Sequence, residues 1–477
     1  MPNDGFNIRM IKLQANFSWR AIICTFLLFS IAACDSGDDE EEAAAAPSVD
    51  PSTVRIINAI PDAPTLSLIV NDEAAGVAPF GQASNGFSSS DGGTVTLSVV
   101  YNTADGVTEN FLDNLSVPIS NGREIYILLT GTFASPITSV IDNPVFAIDS
   151  SGSVASSTSL NVQFGDSVNN GQAVDIYLTQ TDAVLTASTP AATLSFDGVS
   201  TLENFSAASD YRIRITAVGS TDVLYDSGTI TLSAIHNQIF MLVDYFGPGD
   251  APFRVISISN GVASTIDGEE LPSELRVANF ITNTPSVDFY FNDTNDAPEF
   301  TAVSFGEFTS YMTFDVGEMS INITPNGENT NFLYEQNLTL IAGASRTLVL
   351  AGDPTSDNGV SGRVISDSDR PIATQLQLKF IHASAGSGTI DFYVLESSEA
   401  LSADTTPDVT AARFLSNANI PVALGTYDLV ATLNGETTIL AGPTRLSVDV
   451  GIYSIILSES PNGGAPFTIS VLEESFD

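Results

Sequence analysis

Past position 34 the chain contains no cysteine and no tryptophan, two histidines (His236 and His382) and a single lysine, Lys379. Each scarcity removes a class of chemistry. Without cysteine pairs, no disulfide framework holds the body of the protein. With two histidines and no thiol, His/Cys zinc sites and Cys–His nucleophilic pairs are excluded within one chain. A phosphate loop needs Gly-Lys, and neither Lys12 nor Lys379 follows a glycine. No Gly-x-Ser-x-Gly elbow occurs, and Gly247-Pro248-Gly249 lacks the third glycine of a dinucleotide fingerprint. Positive charge is also scarce. After Cys34, 12 basic residues face 56 acidic ones, a net charge of about −44. Such a surface repels nucleic acid and attracts cations.

What is present begins with an export signal over residues 1–33. Arg9, Lys12 and Arg20 flank an apolar stretch, Ala21 to Ala33, that is short for a membrane span and fits a signal core. It ends in Ile31-Ala32-Ala33-Cys34, which resembles the bacterial lipoprotein signal. That resemblance implies cleavage before Cys34, a diacylglycerol thioether on its sulfur and acylation of its new amine. Several chains are what stable anchoring requires. Ordinary cleavage after Ala33 is the competing reading, and Ile31 fits it poorly. Asp35 resembles an inner-membrane retention signal of enteric bacteria, although the expected location is a lipid-anchored envelope protein with the outer membrane favoured. Residues 34–52 are acidic, then Ala-rich, without apolar periodicity, and read as a flexible tether.

The remainder is predicted all-β. Runs such as Thr94–Tyr101, Glu124–Thr130, Ile239–Tyr245 and Ile452–Ser458 are rich in Val, Ile, Leu, Thr and aromatics, and turn residues separate them. Tyr211-Arg212-Ile213-Arg214-Ile215 alternates, placing both arginines on one face. A repeat organises these runs. Val174-Asp175-Ile176-Tyr177, Val287-Asp288-Phe289-Tyr290 and Ile390-Asp391-Phe392-Tyr393 are one motif, its aspartates 113 and 103 residues apart. In a first copy it has decayed to Leu66-Ser67-Leu68-Ile69. A preceding strand recurs as Arg55 to Asn58-Ala59, Arg276 to Asn279-Phe280 and Lys379 to His382-Ala383. A Phe-Gly step follows in two copies, Phe80-Gly81 and Phe305-Gly306. Ala251-Pro252-Phe253-Arg254 and Ala465-Pro466-Phe467-Thr468 match near the ends of their copies. Units of this size and strand number predict four tandem Ig-like antiparallel β-sandwiches at 53–150, 158–265, 273–367 and 374–477. The linkers near Ser150–Thr158, Ile266–Ser273 and Asp367–Thr374 are short, which suggests a semi-rigid rod.

Together the strand, the Ala59-Ile60-Pro61-Asp62-Ala63-Pro64 corner, the Val-Asp-x-Tyr motif, the Phe-Gly step and Gly425-Thr426-Tyr427 resemble the bacterial domain of unknown function 4397. The resemblance implies tandem β-sandwich modules in exported, often lipid-anchored envelope proteins. It extends over nearly all of residues 53–477 and is thinnest in the second copy, where Asn161-Val162-Gln163-Phe164-Gly165 replaces the basic strand. The family carries no established catalytic residues.

No catalytic residue is expected, and the protein reads as a non-enzyme. His382 shares a column with Asn58 and Asn279, which marks it as a strand-end cap. Asp175, Asp288 and Asp391 read as outward residues of alternating strands. Calcium is the best guess for a cofactor, through Asp293, Asp296, Asp367 and Asp369, but neither cluster matches a twelve-residue calcium loop, and Asx-rich turns form for backbone reasons alone. Otherwise no cofactor is expected. The function that follows is a lipid-anchored binding or spacing module, with the membrane and an envelope polysaccharide or protein as partners. A carbohydrate-binding adhesin and a carboxylate-dependent hydrolase are the alternatives.

Overall fold

The structure is a computed structural model, and the residues it describes are 51–145, 159–206, 210–232, 237–368, 370–397 and 399–474. The expected signal, most of the expected tether with Cys34, the expected linker at 150–158, His236 and Asp369 lie outside them. Among the described residues every regular element is a strand except the 3-10 turn Leu185–Ala187. No helix among them is long and apolar enough to cross a membrane.

Eight sheets form four sandwiches, each with its own apolar core. In the first, Ser52–Asn58, Arg123–Thr132 and Ser135–Pro144 make one sheet with two short edge pieces. Leu66–Val70, Glu73–Ala78, Gly93–Asn102 and Thr108–Ile119 make the other. The expected antiparallel pairing holds throughout except at one place per sandwich, where the opening strand runs parallel to a later one. Those pairs are Ser52–Asn58 with Arg123–Thr132, Ser159–Asp166 with Gln238–Asp244, Ser273–Ile281 with Ser345–Gly352, and Gln375–His382 with Gly451–Ser458. Parallel neighbours need a long crossover; here the crossover is the whole second sheet.

These parallel pairs are buried on both faces, and that decides how the sandwiches associate. Val54, Ile56, Ile125 and Ile127 fill the first core. The alternate residues Ile57, Tyr126 and Leu128 pack instead on Ile239, Met241, Val243, Ile256 and Ile258 of the second sandwich. Likewise Ala278, Phe280, Val349 and Ala351 of the third meet Ile381, Ala383 and Ile456 of the fourth. The first and second sandwiches therefore pack sheet on sheet, as do the third and fourth, rather than end to end as a rod. Each buried Ile, Leu or Phe side chain contributes about 1.5–3 kcal/mol.

The parallel register aligns the four copies residue by residue. Asn58, Asp166, Asn279 and His382 lie opposite Leu129, Leu242, Leu350 and Leu457, so they are one column. Three residues earlier, Arg55, Gln163, Arg276 and Lys379 form a second column, aimed at the partner sandwich. The Phe-Gly step also extends to all copies as Phe80-Gly81, Phe196-Asp197, Phe305-Gly306 and Phe414-Leu415. The second residue has positive φ in each (71°, 60°, 81° and 58°).

Candidate functional site

The recurring polar residues are the first place to look for chemistry, and each is committed to the fold. Asn58 Nδ2 donates to Pro64 O and Ala78 O, and its Oδ1 accepts from Ile60 N–H. Asn279 donates to Val303 O (2.8 Å) and accepts from Ile281 N–H (2.9 Å). His382 does the same with a ring. Nε2 lies 2.9 Å from Gly388 O, and Nδ1 accepts from Ser384 N–H at 3.3 Å. Burial holds its pKa below the ordinary histidine value, so the neutral tautomer with Nε2–H fits both bonds. In the second copy Asp166 accepts from Val168 N–H (3.0 Å), and burial raises its pKa. Sequence reading missed Asp166 because it aligned that strand on its missing arginine rather than on its end.

The motif aspartates depart from the expectation of outward, solvated residues. They are out of phase with the core-facing Phe289 and Phe392, but turns fold over them, leaving Asp175, Asp288 and Asp391 only 5%, 2% and 4% exposed. Asp288 Oδ2 accepts from Gly327 N–H, and Oδ1 from Ala302 N–H, Asn326 Nδ2 and Thr301 Oγ1. Asp391 receives Gly435 N–H, Ala411 N–H and Asn434 Nδ2 in the same way. Asp175 receives Gly219 N–H and Thr193 Oγ1. Burial pushes the Asp288 and Asp391 carboxyls up, but the donated hydrogen bonds outweigh it and hold both below the usual aspartate range. Each aspartate thus clamps an Asn-Gly or Val-Gly hairpin turn to a neighbouring edge strand. It is a staple, not a general acid or base.

The calcium candidates do not converge. Asp293 is exposed and bonded by Asn295 through N–H (2.9 Å) and Nδ2 (2.7 Å), which lower its pKa. Asp296 is exposed in the same turn. Asp367 instead sits between the third and fourth sandwiches, paired with Lys379 Nζ and accepting from Tyr311 Oη (2.9 Å) and Thr347 Oγ1 (2.6 Å). Glu474 joins it, 2.5 Å from Arg276 Nη2 and 3.6 Å from Lys379 Nζ. Asp369 and Cys34, the expected acylation residue, lie outside the described residues. Among the described residues no three His, Cys, Asp or Glu side chains are grouped to hold a metal.

Besides a hollow of about 260 Å³ along Gln375–Lys379 and Asn419–Pro421, two concave regions lie where the pairs of sandwiches meet. One is a groove of about 990 Å³ between the second and third sandwiches, with Tyr225, Phe253 and Phe314 in its wall and Glu269, Glu270 and Asp315 on its exposed rim. The other is a cavity of about 250 Å³ among the first three sandwiches, sharing Tyr245 and Arg254 with the groove and adding Phe80, Asp244 and Arg370. Burial raises the Asp244 carboxyl to about 6, against the lowering effect of bonds from Asn169. Burial also lowers the Arg370 guanidinium, while Asp62 opposes that shift. Nothing in the local sequence of Arg254 or Arg370 signals their convergence, which is a product of tertiary packing.

With this geometry in hand, comparison with known proteins yields one family. Residues 273–393 match the model described as Domain of unknown function (DUF4397). The match spans the third sandwich and runs through the first strand of the fourth into its second, Ile390–Glu396, so it crosses one of the two paired interfaces. No curated protein matches the chain. Among solved structures, the one described as "Alpha-glucan binding by a streptococcal virulence factor" is 11% identical with a TM-score of 0.15, covering 39% of this chain and 92% of that one. The Bacillus anthracis TIE protein is 9% identical with a TM-score of 0.14, covering 82% and 66%. Likeness at this level fixes neither the fold nor a ligand.

Proposed function

We propose that the chain is a non-enzymatic, lipid-anchored envelope protein whose paired sandwiches serve as a binding and spacing module outside the cytoplasmic membrane. The observation that carries this reading is the fate of the recurring polar residues. The Asn/Asp/His column and the three motif aspartates go into holding turns and strand ends, and the Arg276–Lys379–Asp367–Glu474 cluster goes into joining two sandwiches. A fold that spends its repeated polar side chains on rigidity, on an acidic chain behind an acylation signal, suits a stiff spacer held off a membrane.

The anchor is tested by Cys34→Ala. The wild type is expected in the membrane fraction, released by detergent, and the variant in the soluble fraction. Equal membrane retention of the variant overturns the anchor. Treating intact cells with a non-permeant protease then separates the two faces. Cleavage of the sandwiches in whole cells puts them on the surface. Protection until the outer membrane is opened puts them in the periplasm.

A further inference from the structure

We propose that the cavity among the first three sandwiches binds a small ring-bearing monocarboxylate, an acid the size of one sugar unit, through Arg254 and Arg370. This goes beyond the anchoring and spacing reading and does not depend on it.

The scarcity of positive charge gives the site its weight. Only 12 basic residues follow Cys34 in a body of net charge about −44. Two of them, 116 positions apart, line one cavity. Arg254 comes from the second sandwich and Arg370 from the segment joining the third to the fourth. The repeat does not require the first of these. The matching position of Ala465-Pro466-Phe467-Thr468 carries threonine, in a sandwich of the same build.

Both guanidiniums are held in place. Arg254 lies 4.5 Å from the Tyr245 ring centroid, with Nε 3.2 Å from Asp267. Its Nη2 rests against Gly343, where a Cβ would stand 2.5 Å away, so glycine there leaves the guanidinium its space. Arg370 Nη1 donates to Pro61 O and Ala63 O, both at 2.8 Å, and its guanidinium lies 5.0 Å from the Phe80 centroid. Carbonyl oxygens orient the Arg370 guanidinium without cancelling its charge, whereas Asp267 offsets part of the charge on Arg254. Planar forks fixed in this way match a carboxylate, and the aromatic wall offers an apolar face to a ring. The volume sets the size of the group that is enclosed. Pockets for drug-sized ligands run about 300–1,000 Å³, and this one, at about 250 Å³, takes a single ring. Asp244 in the wall repels a dianion such as phosphate more strongly than a monoanion.

The test is titration calorimetry on the full mature chain with D-glucuronate and benzoate, against neutral glucose and inorganic phosphate. At least one of the two monocarboxylates is expected to bind at least about tenfold more tightly than glucose or phosphate. Arg254→Thr, which installs the residue found in the fourth copy, and Arg370→Ala are each expected to weaken that binding about tenfold or more. Arg370→Ala also removes contacts to the first sandwich, so Thr265→Phe serves as a control. Thr265 is an exposed residue on the cavity rim, and the larger ring fills the space. It is expected to weaken binding while leaving the melting temperature unchanged. Failure of both acids to bind, equal binding of glucose, a preference for phosphate, or affinity unmoved by Arg254→Thr and Thr265→Phe overturns the proposal.

Discussion

At Asp288 and Asp391, burial and ionisation coexist because donors from two turns and an edge strand meet the carboxylate oxygens. Asp391→Ala leaves the Gly435 and Ala411 N–H groups unpaired under a covered surface and is expected to destabilise the fourth sandwich by about 3 kcal/mol in urea unfolding. The pH dependence has a definite sign. Both carboxyls sit below their ordinary value in the folded state, so unfolding takes up protons. Their contribution is full above the unfolded aspartate pKa of about 3.9 and disappears as the pH falls through the lower folded value. Asp244 runs the other way. Its folded pKa of about 6 means that stability declines as the pH rises from about 4 to above 6. Asp244→Asn is expected to flatten that decline in unfolding midpoints measured across the range. The column predicts its own tolerances. His382→Asn, the residue of the first and third copies, is expected to cost within about 1 kcal/mol, and His382→Ala about 2–3 kcal/mol. The recurrence of these residues was legible in the sequence because spacing alone reveals it. Their burial was not, because a period of two assigns a face and says nothing of what folds over it.

Among elements, the strands were the most legible feature. The expected run Ile239–Tyr245 is observed as Gln238–Asp244, and Ile452–Ser458 as Gly451–Ser458. Tyr211–Ile215 alternates as read, with Tyr211, Ile213 and Ile215 in the core and Arg212 paired with Asp226 at 2.5 Å on the outer face. The Gly-x-Tyr strand acquires a cause. Tyr427 and Tyr453 fold back to donate to Ala423 O and Asp449 O (2.8 and 3.2 Å), and their rings cover Gly425 and Gly451. A Cβ on Gly451 would stand 2.9 Å from the Tyr453 hydroxyl. Gly451→Ala is therefore expected to cost about 1–3 kcal/mol in urea unfolding. Tyr453→Phe alone is expected to cost about 1 kcal/mol for the lost bond. The parallel pair was less legible. Its signal was the unbroken apolar run, as in Ile125 to Leu129 or Ile239 to Val243. Such runs mark strands buried on both faces, and a search for alternation passes over them.

For the whole molecule, the short linkers pointed to a rod, whereas the inner sheets of neighbouring sandwiches pack face to face in two pairs. Linker length bounds the distance between domains but not the angle between them. The information sat instead in the Arg55/Gln163/Arg276/Lys379 column, a row of polar residues each of which makes a bond to its partner sandwich. Arg55 reaches Asn260 of the second sandwich, and Lys379 reaches Asp367 at the end of the third. Removing Lys379 leaves Asp367 without its cation at a buried interface, while Glu474 keeps Arg276, and costs about 3–5 kcal/mol. Hydrogen exchange on the full chain, comparing wild type with Lys379→Ala, tests the pairing most directly. The account predicts that amides of Ser345–Gly352 in the third sandwich and Gln375–His382 in the fourth lose protection together, while Arg123–Thr132 and Gln238–Asp244 change least. Loss confined to the fourth sandwich, with the third unmoved, contradicts it.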